Sequence, residues 1–160
     1  MTHRQVQLRS ARTSDLDVIV VLELETEFAP HWPPAAYAAI LDSASPRRRL
    51  IVAETDAKLA GFAVGMMHPA ASDSPERVAE LESVAVASDA RREGIGRALC
   101  KAVIGWCREQ GATEMVLEVR AASVGAIALY AGLGFTQTGR RPRYYRDPED
   151  DAVVMRLELA

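Results

Sequence analysis

Apolar and polar residues change period along this chain, most sharply between Leu81 and Trp106. Leu81 to Val86 alternates and is rich in Val, the period-two pattern of a strand with one buried face. From Ile95 the apolar positions Leu99, Ala102, Val103 and Trp106 recur at helical spacing, up to a glycine stop at Gln110-Gly111. Other segments fall into the same two classes. Gln5 to Arg9, Leu50 to Glu54, Leu59 to Met67, Glu114 to Arg120, Phe135 to Thr138, Arg140 to Arg146 and Val153 to Leu159 read as strands. Thr55 to Lys58 is a hairpin turn, Ser43 to Arg49 a loop and Asp147 to Asp151 a turn. Thr13-Ser-Asp caps a helix running to about Phe28, with Leu16, Ile19, Val20, Leu24 and Phe28 on its buried face. A Pro-Pro pair starts a second helix ending near Leu41. Ser123 caps a short one that buries Val124, Ile127, Ala128 and Ala131.

With no internal repeat or linker, the pattern predicts one α/β domain over residues 1–160, a mixed sheet with helices on both faces. The chain's 160 residues suffice for a real core. Nineteen basic against 22 acidic residues, net −3, argue against constitutive nucleic-acid binding. No apolar run approaches the ~20 residues of a membrane span. The start, Met1-Thr-His-Arg-Gln-Val, lacks a signal peptide's apolar core. Cys100 and Cys107 lie on one predicted helix, roughly 10 Å apart at ~1.5 Å per residue, too far for a disulfide. Packed thiols in a reducing cytoplasm are expected, as monomer or homodimer. His3, His31 and His68 form no metal-ligand spacing, and no metal is expected.

Chemistry concentrates at Arg91-Arg-Glu-Gly94-Ile-Gly96. Two glycines at a helix mouth let the backbone approach a ligand, and the free N–H groups of the first turn favour phosphate. Arg91 and Arg92 add charge. The nucleotide-triphosphate loop needs a Lys-Ser/Thr pair, and the dinucleotide fingerprint needs three glycines; neither is present.

Arg-x-x-Gly-x-Gly after Val84-Ala-Val86 resembles the acetyl-CoA loop of the GNAT N-acetyltransferase superfamily. Ala126-Ile-Ala-Leu-Tyr130 and Gly132-Leu-Gly-Phe135 resemble later motifs of that family. Leu117-Glu-Val-Arg120, Arg141-Pro-Arg-Tyr-Tyr145 and Asp151-Ala-Val-Val-Met155, with Phe28 and Trp32, narrow the resemblance to its ribosomal-protein-alanine N-acetyltransferase subgroup. One departure stands out: the chain reads Ala122-Ser123 where the subgroup usually reads Ser-Asn, and that asparagine often holds the cofactor. The resemblance implies a mostly antiparallel sheet with splayed central strands. It also implies that acetyl-CoA is held by Val84, Ala85, Val86, Arg91, Arg92, Glu93, Gly94, Ile95, Gly96, Arg97, Ser123 and Tyr130.

Acetyl transfer needs a neutral amine, a polarised carbonyl and a protonated leaving thiolate. An α-amine titrates near ~8 against ~10.4 for lysine, so one nearby carboxylate suffices for it. The resemblance makes Glu118 the base, with Glu80 and Glu82 in reserve on the central strand, and Tyr130 the acid. It places Tyr144 and Tyr145 against the acceptor. Arg140, Arg141, Arg143 and Arg146 read as a solvated strand face, the alternative being an acidic partner or ribosomal RNA. The expected acceptor is a protein N-terminus, such as a ribosomal protein. A small amine (polyamine, amino acid or aminoglycoside) and a non-catalytic acetyl-CoA sensor are the alternatives.

Overall fold

The strands assemble by local hairpins and one helical crossover. A computed structural model describes residues 5–26, 31–42 and 47–159; Phe28 and residues 43–46 lie outside them. In chain order the elements are β1 (Val6–Ser10), α1 (Leu16–Glu25), α2 (Pro34–Leu41), β2 (Arg48–Thr55), β3 (Lys58–Met67), β4 (Val78–Val86), α3 (Ile95–Glu109), β5 (Glu114–Arg120), α4 (Val124–Gly132), β6 (Thr136–Tyr145) and β7 (Asp150–Glu158). They form a seven-stranded sheet in the order β1-β2-β3-β4-β5-β7-β6. Asp56 and Ala57, at φ 51° and 61°, close the β2–β3 hairpin with the left-handed pair that suits strand twist. β4 and β5 run parallel, because the long helix α3 carries the chain across between them. Every other neighbouring pair is antiparallel.

Two cores cover the sheet. On one face α3 packs Ile95, Leu99, Cys100, Val103, Ile104 and Cys107 against Ala63, Leu81, Met115 and Leu117. On the other, Ile19 and Leu22 of α1 and Tyr37 of α2 meet Val52, Phe62, Val64 and Ala85. α3 comes very close to β3 at Gly65, where a Cβ would stand 2.4 Å from Val103 Cγ1. Val103 is fully buried and stiff at χ1, so it has nowhere to go. Gly65→Ala is expected to cost about 2 kcal/mol of stability in urea unfolding, and Val103→Ala in the same chain to recover part of it.

Several sequence expectations need correction. Thr13–Asp15 is a 3-10 turn preceding α1, and Asp15 accepts the Arg12 N–H at 2.7 Å. Leu24 is exposed at 65% while Leu22 and Glu23 are buried. Arg48 and Arg49 belong to β2, not to a loop. In α4, Val124, Ala128 and Ala131 are exposed, Ile127 is half-buried, and Tyr130 is the buried residue. Ser123 stands at the N-cap without a side-chain capping bond. The two strands expected over residues 135–146 are one strand, β6, with two register breaks. Cys100 and Cys107 are free, buried thiols pushed up to about 12 by burial, as expected of packing residues.

Candidate active site

β4 and β5 pair over three positions, Val78 with Glu114, Ala79 with Met115 and Glu80 with Val116, and then part. The gap opens into a cleft of about 1270 Å³ running from Trp32 and Glu80 at one end to Arg91 and Gly96 at the other. Ala87 donates its N–H to Ala60 of β3. Alternation along β4 therefore aims the N–H groups of Val84 and Val86 the other way, into the gap. A parting sheet leaves these donors without a strand partner, available to a ligand.

At the Arg91 end the backbone is left-handed at Arg92 (φ 66°) and again at Gly94 (φ 79°), which is the N-cap of α3. A non-glycine residue in that region is strained, and such turns aim successive N–H groups at an anion. Arg91 is tethered to the end of β4 through Nε and the Val86 carbonyl at 3.4 Å. Gly96 sits in the first turn with Leu129 and Val86 3.4 and 3.7 Å from where its Cβ would be. Arg92 and Arg97 also line this end. The residues therefore fit a phosphorylated ligand: an anion cradle at a helix N-terminus, cationic side chains, and a channel with free backbone donors leading away from it.

Midway, Tyr130 closes one wall. It is nearly buried, edge-on to Phe135 at a centroid distance of 6.0 Å, and burial raises its phenol above the usual range. It therefore holds its proton at neutral pH.

The Trp32 end is acidic. Glu118 of β5 is paired with Arg141 Nε at 3.1 Å and lies beside the Tyr144 hydroxyl, whose pKa it raises. Burial pushes Tyr145 up to about 12, with Glu118 adding to the effect. Arg120 lies over its ring at 4.4 Å. Glu80 is raised from the ordinary carboxylate value, first by burial and then by the Glu82 charge. Glu82 is nearly buried and taken by Arg48, Nε to Oε1 at 2.7 Å. The partner register of β4 skips Glu82: Val64 pairs with Ser83 and Gly65 with Leu81. This bulge sends Ala79 and Leu81 to the α3 face and Ala85 to the α1–α2 face. On that side the buried carboxylate of Glu23 accepts the Trp32 N–H at 2.7 Å, which holds the wall after α1 in place.

The cleft thus brings together Glu80, Glu82, Val84, Val86, Arg91, Arg92, Gly94, Ile95, Gly96, Arg97, Glu118, Ser123, Tyr130, Tyr144 and Tyr145. Two expected residues stand apart. Ala85 is buried in the core of the α1–α2 face, and Glu93 is exposed off the cleft. Arg48, Arg120 and Arg141 emerge as partners to which the sequence assigned no site role, although Arg120 and Arg141 stand in the family-like motifs. Arg140 pairs with Asp151 and Arg143 with Glu149, which accords with a solvated strand face. Among the described residues no group of His, Cys, Asp and Glu could hold a metal, and no helix is long and apolar enough to cross a membrane.

Comparison with known proteins points the same way. Residues 18–135 match the description "Acetyltransferase (GNAT) family". The chain belongs to the GNAT acetyltransferase family. Among GNAT relatives, the N-alpha-acetyltransferase RimI of Mycobacterium tuberculosis is 34% identical over 79% of this chain and 75% of its own length. The [ribosomal protein bS18]-alanine N-acetyltransferase of Escherichia coli is 40% identical over 84 residues, 51% of this chain and 57% of that enzyme. The matched stretch thus spans little more than half of that relative's length. The crystal structure of the ribosomal-protein-S18-alanine N-acetyltransferase from Escherichia coli superposes with a TM-score of 0.80 at 30% identity, covering 98% of this chain and 95% of that one. The parted β4–β5 pair, expected from the resemblance, is therefore set in a GNAT fold.

Proposed function

We propose that this protein transfers an acetyl group from acetyl-CoA to the α-amine of a protein N-terminus, as in ribosomal-protein-alanine N-acetylation. The observation that carries the reading is a carboxylate, Glu118, paired with Arg141 and flanked by Tyr144 at the end of the cleft opposite the anion cradle. The relatives' names support it, since they are those of ribosomal-protein alanine N-acetyltransferases and of an N-alpha-acetyltransferase.

Acetyl-CoA supplies a thioester whose carbonyl accepts the amine. Arg91, Arg92, Gly94 and Gly96 hold its phosphates, while the Val84 and Val86 N–H groups bind along its length and orient the carbonyl. Glu118 takes the proton of the acceptor ammonium, freeing the nitrogen lone pair. As the new carbon–nitrogen bond forms and the carbon–sulfur bond breaks, Tyr130 protonates the departing sulfur. The second proton, shed by the acylated nitrogen, restores the phenol, so one net proton leaves through Glu118. Tyr144 and Tyr145 flank the incoming chain. Tyr130→Phe is expected to lower kcat by about 10²-fold or more with acetyl-CoA affinity nearly unchanged, read from initial rates and calorimetry.

The charge pattern favours a peptide over a polyamine. A polyamine site offers several unpaired carboxylates, whereas Glu82 is neutralised by Arg48 and Glu118 by Arg141. The setting of this reading is the cytoplasm, where ribosomal proteins are made. The test is mass spectrometry of peptides with free and blocked N-termini after incubation with acetyl-CoA. Acetyl groups on free N-terminal alanine or serine support the reading, and transfer to small amines with none to peptides overturns it.

A further inference from the structure

We propose that Arg141 occupies the acceptor's cation position on Glu118 and must be displaced by the acceptor, which makes it a determinant of acceptor affinity. The inference rests on the reading of Glu118 as the group that meets the amine. Arg141 and Tyr144 are three residues apart, a spacing that puts them on opposite faces of a regular strand. Yet both reach one carboxylate. The reason is a bulge. The register of β6 on β7 breaks between Arg141 and Tyr145, and Arg143 turns left-handed at φ 53°. Asp151 pins that turn with both oxygens: Oδ1 accepts the Arg143 N–H at 2.9 Å and Oδ2 the Arg140 Nε–H at 2.7 Å. The strand is deformed and held so that a guanidinium and a phenol converge on Glu118.

An α-amine reaches the site chiefly as an ammonium, whose N–H groups seek the same carboxylate oxygen that Arg141 Nε now holds. Two cations at contact distance from one oxygen repel each other, so acceptor binding is an exchange. Arg141 is free to leave: its side chain is 59% exposed, and its guanidinium already lies over the Tyr144 ring at 5.5 Å. The other charges around this space come from β4 (Glu80 and Glu82), β2 (Arg48), the residue after β3 (His68), β5 (Arg120, over the Tyr145 ring at 4.4 Å) and Arg146 after β6. Glu82 is bound by Arg48, and Glu80 has His68 beside it at 3.9 Å. Tyr145 from β6 completes the surround.

The experiment compares wild type, Arg141→Gln and Arg141→Lys with a peptide bearing a free N-terminal alanine. It reads peptide KM at saturating acetyl-CoA and peptide Kd by calorimetry with CoA bound. Arg141→Gln is expected to lower both by about two- to fivefold, the size of one exposed ion pair, while Arg141→Lys keeps the wild-type values. An unchanged acetyl-CoA KM checks that the fold is intact. Peptide affinity unchanged or weakened in Arg141→Gln overturns the proposal, as does an equal gain in Arg141→Lys. Absence of transfer to any peptide by wild type overturns the proposed function instead, and the Kd comparison, which needs no turnover, still tests Arg141.

Discussion

Glu118→Gln is expected to lower kcat/KM for a peptide acceptor by about 10²- to 10⁴-fold at neutral pH while leaving acetyl-CoA binding as it is; the factor is that of a positioned general base. Glutamine keeps the volume of the side chain and one carbonyl oxygen in its place, so the acceptor end of the cleft keeps its shape. What it loses is the ability to take a proton. The penalty has a pH signature. A free α-amine titrates near ~8, so above that value the acceptor arrives neutral and needs no base. The gap between the variant and wild type should therefore narrow as pH rises through that region. Initial rates from about pH 6 to about 9.5 read this directly. A constant gap at every pH would assign Glu118 a structural role, and a variant within a few-fold of wild type throughout would move the base to Glu80 or Glu82.

The elements of the fold are legible in the sequence where period and punctuation agree. α3 shows its apolar stripe and its Gln110-Gly111 stop, and β5 keeps the bounds Glu114–Arg120 that alternation predicts. Legibility fails where a long-range polar contact sets the orientation. Helix α1 is turned so that Glu23 reaches the Trp32 N–H, which leaves Val18, Val21 and Leu24 outside. Helix α4 is turned by Tyr130 packing on Phe135, which leaves uncovered much of the alanine-rich face that spacing alone suggested as buried. The bulge at Glu82 leaves no trace, because burial alternates without interruption from Val78 to Val86. The alternation continues in burial, but the layer it is buried against changes halfway.

The same distinction runs through the site. The Arg91–Gly96 loop is local chemistry on consecutive residues, so its character is readable from the sequence alone. The ion pairs of Glu118 with Arg141 and Glu82 with Arg48 depend on strand order and register, which no local pattern encodes. Arg141 read as one of four solvated arginines because odd spacing within a strand hides a shared target. The fold sorts them: Arg140 holds the bulge, Arg141 meets Glu118, Arg143 pairs outward, and Arg146 lines the cleft.

Gly96→Glu is expected to raise the KM for acetyl-CoA by more than about 10²-fold, with the peptide site untouched. Three effects act together. The first turn of α3 presents N–H groups and a positive helix end, and a carboxylate there competes with the ligand's phosphate for them. The new side chain carries the same sign of charge as the phosphates it would face in a partly desolvated cleft. Its Cβ starts 3.4 Å from Leu129 Cδ2 and 3.7 Å from Val86 Cγ2, so the rest of the chain is steered across the channel between α3 and α4. The control is Gly96→Ala, whose Cβ makes ordinary contacts at those distances and whose KM should stay within a few-fold of wild type. Thermal unfolding of both variants without ligand should be nearly alike, since Gly96 carries no left-handed backbone angle. Isothermal titration with CoA separates the outcomes. Loss of binding in the glutamate variant alone locates the phosphates at this helix end, and equal binding in both would move them elsewhere along the cleft.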